Sequence, residues 1–467
     1  MKHFKLFSLI LSIFIGIRGF SQDKNIPIEN SQKDSLMIRK IYHEALENGK
    51  AYGDLRELCK NIGNRLSGSV GADMAIDWGY EKLQSYGFDK VYLQEVMVPH
   101  WERGTKEKGY FKSGKGKTQP VNILALGGSI GTDGILSGEV VMFKSLEEFK
   151  AASNEQVEGR IVFLAERMNQ KNINTFRSYS ESGKIRWEGP IIAGEKKAKG
   201  YIMRSLSLSE NDFPNTGVMR YKEGVKKVPS AAISTNDATR IEKLINEGKI
   251  ITFFYEMNCK TYPDKKSNNV IGEITGVKYP DNIITVGGHL DSWDVGEGAH
   301  DDGVGIVHSM DAVRILKKLN YQPQNTIRVV FFMNEENGNR GGKKYAKEAK
   351  LSGQNHIYAI ESDAGGFTPR GFTIDGQNKQ AQLLKSFAPL FEPYFIHYLE
   401  KGFGGVDINP LKNEFDNIAL FGFAPDSQRY FDIHHNENDV FENINKRELH
   451  LGVGAIASLI YLLDSRY

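Results

Sequence analysis

Cysteine is nearly absent from this sequence. The 467 residues include only two, Cys59 and Cys259, which lie far apart along the chain. Two cysteines are too few for a disulfide scaffold, and they cannot supply a thiolate-rich zinc site. They could pair in an oxidising compartment or remain as two packed thiols, and the sequence leaves both possibilities open.

An excess of charge of either sign is also missing. The formal net charge is +2, with 60 Lys and Arg against 58 Asp and Glu. Such a balance provides no excess positive charge for binding nucleic acid, so we expect a different substrate. The hydrophobic fraction of 40% is ordinary for folded protein, and the length allows two or three domains.

No segment after the first residues is predicted to span a membrane. Residues 1–5 are basic, residues 6–17 are almost wholly apolar, and the small residues Gly19 and Ser21 follow. This pattern predicts a signal peptide over residues 1–21, because the apolar run is shorter than the roughly 20 residues a spanning helix needs. An uncleaved anchor is the alternative. Cleavage would take the net charge from +2 to −1 by removing Lys2, Lys5 and Arg18, and would leave a secreted or periplasmic chain without a membrane anchor.

Strands and helices alternate on both sides of a segment with a different pattern. Residues 22–128 contain three helical patterns followed by strands at 90–98 and 121–126. Residues 263–467 contain apolar strands at 269–274, 282–286, 326–333, 356–362 and 417–423, a helix at 303–318 and a C-terminal helix. The alternation predicts an α/β fold with a mostly parallel central sheet. Residues 129–262 consist of short β-like runs and turns, which predicts a smaller, β-rich inserted domain.

Polar clusters follow four of the predicted strands. The stretch GGHLDSWDVGEGAHDDGVG, residues 287–305, holds two histidines and five acids among six glycines. Glutamates 335 and 336 follow the second strand, Asp363 the third, and His434 and His435 the fourth. Functional groups gather at the carboxyl ends of strands in α/β sheets, so we expect these side chains to share one edge.

Such a cluster predicts a metal site. Carboxylates that lie close together raise each other's pKa and destabilise the fold unless a cation compensates. These loops contain no matching set of Lys or Arg. Histidine with Asp and Glu, and no Cys, suits catalytic zinc, with cobalt or manganese as substitutes. With one bridging carboxylate, five residues could hold two ions and leave room for a shared water.

The order of these residues resembles that in the zinc exopeptidases of family M28. The pattern is His289-x-Asp291, then residues 299–303 (AHDDG), then Glu335-Glu336, Asp363, and His435-x-x-x-Asp439. The resemblance covers most of the mature chain and implies a three-layer zinc-exopeptidase fold. It implies that the inserted segment is a protease-associated-like domain.

The resemblance also implies a role for each residue. His289 and Asp363 would hold one zinc, Glu336 and His435 the other, and Asp301 would bridge both. Glu335 would be the general base, and the Asp301–Asp302 peptide would be cis. Asp291 would hydrogen-bond the far ring nitrogen of His289.

Other polar residues of these loops are given lesser roles. Asp439 is expected to fix a turn, and Asp294, Glu297 and His300 match no ligand position.

His434 and the loop around Asp407 leave alternatives open. Relatives often carry Tyr where this chain has His434, so His434 could polarise the scissile carbonyl, or it could be the ligand in place of His435. The spacing to Asp439 favours His435 as the ligand. Asp407 and the glycines at 402, 404 and 405 suggest either a substrate loop whose carboxylate receives a free α-amino group, or a plain surface loop.

We therefore expect a dizinc exopeptidase that hydrolyses short, unblocked peptides such as dipeptides. The resemblance also suggests a homodimer. Aminopeptidase action on longer peptides is the nearest alternative. A catalytically inactive binding protein on the same fold would lack ligands, and a glutaminyl cyclase would use a single zinc. The complete ligand set argues against both.

Overall fold

The computed structural model describes residues 28–467, so the predicted signal peptide lies outside the described residues. The first part of the chain is mainly helical. Its elements are α1 (Ile28–Asn48), α2 (Ala51–Glu57), a π-helical turn (Leu58–Ile62), α3 (Val70–Ser85) and β1 (Lys90–Glu102).

The middle part alternates strands with short helices. Its elements are β2 (Lys108–Ser113), β3 (Thr118–Val121), β4 (Ile123–Ala125), β5 (Leu136–Phe143), α4 (Leu146–Ala151), α5 (Asn154–Val157), β6 (Ile161–Leu164), α6 (Thr175–Ser182), α7 (Lys184–Glu195), β7 (Gly200–Arg204), β8 (Ser230–Ile233), α8 (Thr235–Asn246) and β9 (Ile251–Glu256).

The last part contains the longest elements. They are β10 (Lys260–Ile274), β11 (Tyr279–His289), α9 (Val304–Lys318), β12 (Asn325–Phe332), α10 (Arg340–Leu351), β13 (Asn355–Glu361), β14 (Pro369–Asp375), α11 (Asn378–Ser386), α12 (Ala388–Phe391), β15 (Tyr398–Lys401), β16 (Ala419–Pro425), α13 (Tyr430–Ile433) and α14 (Lys446–Ser465).

The first sheet has the strand order β1-β10-β12-β11-β13-β16-β14-β15. Its central strands β12, β11, β13 and β16 are parallel, and β1, β10 and β14 add antiparallel pairs outside them. The predicted α/β fold with a mainly parallel centre is therefore confirmed. Parallel strands need cover on both faces, which explains why every residue of β12 is buried.

Helices cover both faces of this sheet in a three-layer arrangement. On one face, Val329 and Phe331 pack into a core with α1, α3, α9 and α14. On the other face, Val330 and Phe332 pack with Tyr345 of α10. This division follows from the alternation of side chains along a strand.

The helix α14 is apolar and long enough to cross a membrane by length and composition alone. Its residues Leu449, Val453, Ile456 and Ile460 are fully buried within the protein. The helix is therefore the core helix on which α1 and α9 pack.

The middle part forms a second sheet with the order β3-β2-β9-β5-β6-β7-β8-β4. The sequence prediction began the inserted segment at residue 129, but β2, β3 and β4 already belong to this second sheet. A short apolar run such as 121–126 predicts a buried strand without indicating which sheet it joins, which explains the difference. The segment also contains the helices α4–α8, so it is less β-rich than its turns suggest.

The two cysteines form no disulfide. Cys59 packs in the core of the first sheet and Cys259 in the core of the second, and both are buried free thiols. Burial raises the pKa of each to about 12. The packed-thiol interpretation is therefore the one that the structure supports.

Candidate metal centre

Four neighbouring parallel strands deliver the predicted residues to one edge of the first sheet. His289 is the last residue of β11, and Glu335 and Glu336 follow β12. Asp363 follows β13, and His434 and His435 come after β16 through the short helix α13. The strand-end placement explains why residues so far apart in sequence share one cleft.

Asp301 lies at the centre of the cluster. Its Oδ1 is 3.2 Å from Nε2 of His289, and its Oδ2 is 3.1 Å from Nε2 of His435. His289 Nε2 is also 3.6 Å from Asp363 Oδ1, and His435 Nε2 is 3.1 Å from Glu336 Oε2. The structure therefore brings together all five residues predicted as ligands, in two groups that share Asp301.

The neighbouring acids hold the backbone of this segment. The Asp301–Asp302 peptide is cis. Asp302 accepts the backbone N–H groups of His289 at 3.1 Å and Gly305 at 2.9 Å. Asp302 also lies within reach of His289 and Asp363, but its two oxygens are occupied by these hydrogen bonds, which makes Asp301 the better ligand.

Asp439 fixes the same segment from outside. Its oxygens accept the N–H groups of His300 at 2.7 Å and Asp301 at 3.1 Å. The geometry matches the turn-fixing role expected from the sequence.

Asp291 contacts different atoms from those predicted. The Nδ1 of His289 donates to the backbone carbonyl of Asp291 at 2.9 Å, whereas the Asp291 carboxylate is 3.9 Å away. That carboxylate accepts the backbone N–H groups of Asn334 at 2.7 Å, Glu335 at 3.0 Å and Glu336 at 3.3 Å. Asp291 therefore orients His289 through its main chain, and its side chain positions the two glutamates.

His434 and His435 lie side by side. Their rings stack with centroids 3.5 Å apart. His434 Nε2 is 3.5 Å from Asp301 Oδ2, whereas His435 Nε2 approaches both Asp301 and Glu336 at 3.1 Å. The geometry favours His435 as the ligand and leaves His434 beside the group, as the spacing to Asp439 predicts.

Glu335 stands apart from the other acids. It is half-buried, in contrast to the buried Glu336. Burial, together with the negative charges of Asp363 and Glu336, raises its pKa well above the usual value. A carboxyl group with a raised pKa is a stronger base than an ordinary glutamate, which suits a group at the border of a cleft that must accept and return protons.

The charges at this edge are unbalanced. Burial alone would raise the pKa of Asp301, but His289 and His435 hold it well below its usual value. Burial and the charge of Asp301 raise the pKa of Glu336 to about 7. Across residues 28–467, no Lys or Arg forms an ion pair with Asp301, Glu336 or Asp363.

The donor set fits a metal. Within residues 28–467, Asp301 Oδ2 and Glu336 Oε1 are buried and neither has a well-aligned hydrogen-bond donor. Candidate groups of three ligand atoms within 4.8 Å of one another include His289, Asp301 and Glu336. Imidazole and carboxylate donors that lack compensating charge are what a divalent cation requires.

Arg65 is a structural residue of the site that the sequence does not single out. Its side chain is fully buried and donates to the carbonyls of Leu290 at 2.8 Å, Glu297 at 2.7 Å and Gly298 at 2.9 Å. These bonds hold the loop between His289 and Asp301. The only signal is the position of Arg65 within the stretch NRLSGS, residues 64–69.

The loop residues that match no ligand position have other partners. Asp294 forms an ion pair with Arg103 at 2.5 Å, and Glu297 with Lys60 at 2.6 Å. His300 is buried, whereas the sequence suggested a residue of the loop or rim. None of the three faces the cluster around Asp301.

The acids give the metal-free protein a predictable dependence on pH. Burial raises the pKa of Glu336 and Asp439 to about 7 and that of Glu361 to about 8. A raised carboxyl pKa favours folding at low pH, and this contribution is lost as pH rises through the folded-state pKa. Burial lowers the pKa of His300 to about 4. A histidine of this kind makes the folded state more stable as pH rises, but only below about pH 6.5, the usual pKa of histidine.

We therefore expect the melting temperature of chelator-treated protein to fall between about pH 6.5 and 8, where these acids lose their protons in the folded state. The melting temperature of zinc-loaded protein should fall less, because the bound cation compensates the charge of the acids. Differential scanning fluorimetry of both forms in matched buffers measures this. A metal-free melting temperature that rises across this window would contradict the pKa shifts.

The fold and the cluster together define a metal-dependent hydrolase of the α/β class. The model of peptidase family M28 matches residues 269–459. The chain is 34% identical to carboxypeptidase Q of Homo sapiens over 416 aligned residues. This alignment covers 89% of this chain and 85% of that protein. The chain therefore belongs to peptidase family M28.

Solved structures agree with this assignment. A peptidase M28 precursor from Shewanella amazonensis SB2B matches with a TM-score of 0.88 and 32% identity over 93% of this chain and 97% of that chain. An aminopeptidase from Aneurinibacillus sp. strain AM-1 shares the fold, with a TM-score of 0.59 and 19% identity over 91% of this chain and 95% of that chain. The predicted membership of M28, the likeness to carboxypeptidase Q and the enzyme class are confirmed, and the chain is a metallopeptidase.

Proposed function

We propose that this metallopeptidase is a dizinc exopeptidase that cleaves short, unblocked peptides, dipeptides in particular. The observation that carries the proposal is the position of Asp301, whose two oxygens each face a different imidazole. One shared carboxylate between two histidines suits a pair of ions better than a single ion. His289 and Asp363 would hold one zinc, and Glu336 and His435 the other.

The residues of this chain would divide the chemistry among themselves. Bound zinc would polarise the scissile carbonyl and lower the pKa of a water. Glu335 would take the proton from that water and deliver it to the leaving amine. Asp291 supports this role, because its carboxylate fixes the backbone N–H of Glu335 at 3.0 Å.

His434 would act on the carbonyl of the substrate. Burial and the adjacent His435 lower the pKa of His434 well below its usual value. The ring is therefore neutral at physiological pH, and a neutral imidazole can still donate one N–H. This supports the role of electrophile, in the position where relatives often carry Tyr.

Asp407 supports recognition of a free amino group. It is fully buried, and neither of its carboxylate oxygens has a hydrogen-bond partner in the described part of the chain, so the plain surface loop is the weaker interpretation. Burial and the nearby Glu361 and Glu335 raise its pKa well above the usual value. A substrate ammonium group would relieve this concentration of negative charge.

The inserted segment and the N-terminus belong to the same proposal. The second sheet would be a protease-associated-like module that restricts access to the cleft, and it could also join two chains in a homodimer. Residues 1–21 would direct export to the periplasm or outside the cell. Size-exclusion chromatography tests the homodimer, and N-terminal sequencing of the exported chain tests the role of residues 1–21.

A screen of dipeptides tests the activity. We expect hydrolysis of free dipeptides, loss of hydrolysis when the N-terminus is acetylated or the C-terminus amidated, and loss of all activity with chelator. Cleavage of longer peptides with a blocked C-terminus would favour the aminopeptidase alternative instead. Zinc-loaded protein that cleaves no peptide would contradict the proposal and support a binding protein.

Metal content gives a second, independent measurement. We expect two zinc ions per chain after reconstitution. One tightly bound ion would favour cyclase-like chemistry, and none would exclude a metallopeptidase mechanism for this chain.

A further inference from the structure

The segment between β7 and β8 of the second sheet lies against the metal centre. The Nδ2 of Asn215 donates to the carbonyl of His434 at 2.5 Å. The backbone N–H of Thr216 donates to the carbonyl of His435 at 2.9 Å. Both Asn215 and Thr216 are buried, so these bonds are shielded from water. The inserted segment therefore holds the backbone of the predicted ligand His435.

The same segment also contacts the side chain of His435. The Thr216 carbonyl lies 3.3 Å from His435 Nδ1. A carbonyl oxygen only accepts, so the proton must be on Nδ1, and Nε2 is left free to face Asp301 and Glu336. His435 has a φ of 60°, in the left-handed region that disfavours a residue with a Cβ. The bonds from the inserted segment support this conformation.

Arg186 of α7 lies behind Thr216. Its Nη1 donates to the Thr216 carbonyl at 3.4 Å, and its Nε donates to the Val218 carbonyl at 3.2 Å. Arg186 as a residue is only 5% exposed, and no acid in the described part of the chain pairs with it. Gly217 permits this packing, because a Cβ at that position would lie 2.2 Å from Nη1.

A buried arginine without an acidic partner is unusual, because its charge loses hydration without an ion pair in return. Here the guanidinium donates to the carbonyls of Thr216 and Val218, and the Thr216 carbonyl also accepts from His435. The arrangement fixes the direction of the Thr216 carbonyl and, through it, the orientation and tautomer of the imidazole. Partners of this kind control how well a histidine binds a metal.

We propose that the inserted segment is a part of the metal centre, in which Arg186, acting through the Thr216 carbonyl, is a positioning residue for His435. This inference rests on the proposed dizinc function. It assigns the segment a role in holding one of the two ions, the one bound by Glu336 and His435. His289 and Asp363, which would hold the other ion, are not among the hydrogen-bond partners of Arg186, Asn215 and Thr216 in residues 28–467.

Zinc titration of Arg186→Met against a competing chelating dye tests the inference. We expect the affinity of one zinc to fall by roughly 10- to 100-fold, the usual effect of losing such a partner, while the other zinc binds as in the wild type. Arg204→Met is a matched control, because Arg204 is also a buried arginine of the second sheet but pairs with Glu210 at 2.5 Å. We expect this control to bind both ions with wild-type affinity.

A double variant separates positioning from general destabilisation. In a His435→Ala background, which removes the ligand itself, adding Arg186→Met should cost no further zinc affinity. A further loss there would show that Arg186 acts on the whole fold and would overturn the inference. If Arg186→Met does not fold, Asn215→Ala removes only the bond to the His434 carbonyl and should weaken the same single ion.

The wild type is measured first, so the two proposals fail in different ways. Wild-type protein that binds fewer than two zinc ions would contradict the dizinc function. Wild-type protein with two tight ions, together with folded Arg186→Met and Asn215→Ala variants that keep both at wild-type affinity, would overturn the role of the inserted segment alone.

Discussion

Replacement of Glu335 by Gln should lower kcat by about a hundredfold or more while both metal ions stay bound, because general acid–base groups contribute about 10²–10⁴ in rate. Glu335 is half-buried at the border of the cluster, whereas the oxygens of Asp301 and Glu336 face the histidines. Glutamine keeps the shape of the side chain and loses the ability to take a proton.

The measurement combines steady-state kinetics on a free dipeptide with the zinc content of the same preparation. Glu437→Gln is a suitable control, because Glu437 is an exposed glutamate close to His435 in the chain, and it should keep wild-type turnover. Unchanged turnover in folded Glu335→Gln would exclude Glu335 as the base. Loss of zinc would instead place Glu335 among the ligands.

The sequence predicted the centre of the first sheet better than its edges. The run TIRVVFF of β12 is apolar except for Thr326 and Arg328, and all of it is buried because both faces of the strand are covered. The edge strand β15 and its neighbour β14, the last two strands at one end of the sheet, were not predicted. β14 (PRGFTID) begins with proline and alternates buried with exposed residues, and β15 has only one buried residue. Edge strands need fewer apolar residues, so their pattern is too weak to separate from a loop.

The candidate site was predictable to the extent that it depends on residue type and order. His289, Asp301, Glu336, Asp363 and His435 follow strands whose ends meet, and topology brings them together. The residues that orient these ligands act through contacts with residues far away in the sequence. Arg65 acts on carbonyls more than 220 positions away, and Thr216 contacts His435 at a separation of 219. Each of these contacts uses a main-chain carbonyl, which leaves no trace in residue identity.

Asp301→Asn should weaken both metal ions together, by at least about tenfold each, since even the loss of an outer partner of a ligand costs about 10- to 100-fold. Each oxygen of Asp301 faces a different imidazole, at 3.2 Å and 3.1 Å. Asparagine removes the shared negative charge and presents an N–H group to one side of the cluster, so neither half of the site keeps its full set of donors. Asp363→Asn is the matched comparison, because within residues 28–467 Asp363 pairs with the imidazole of only one histidine, His289 at 3.6 Å, and its replacement should weaken a single ion. Zinc titration of the two variants therefore separates a bridging carboxylate from a terminal one, and an Asp301→Asn variant that loses affinity at one site only would exclude the bridge.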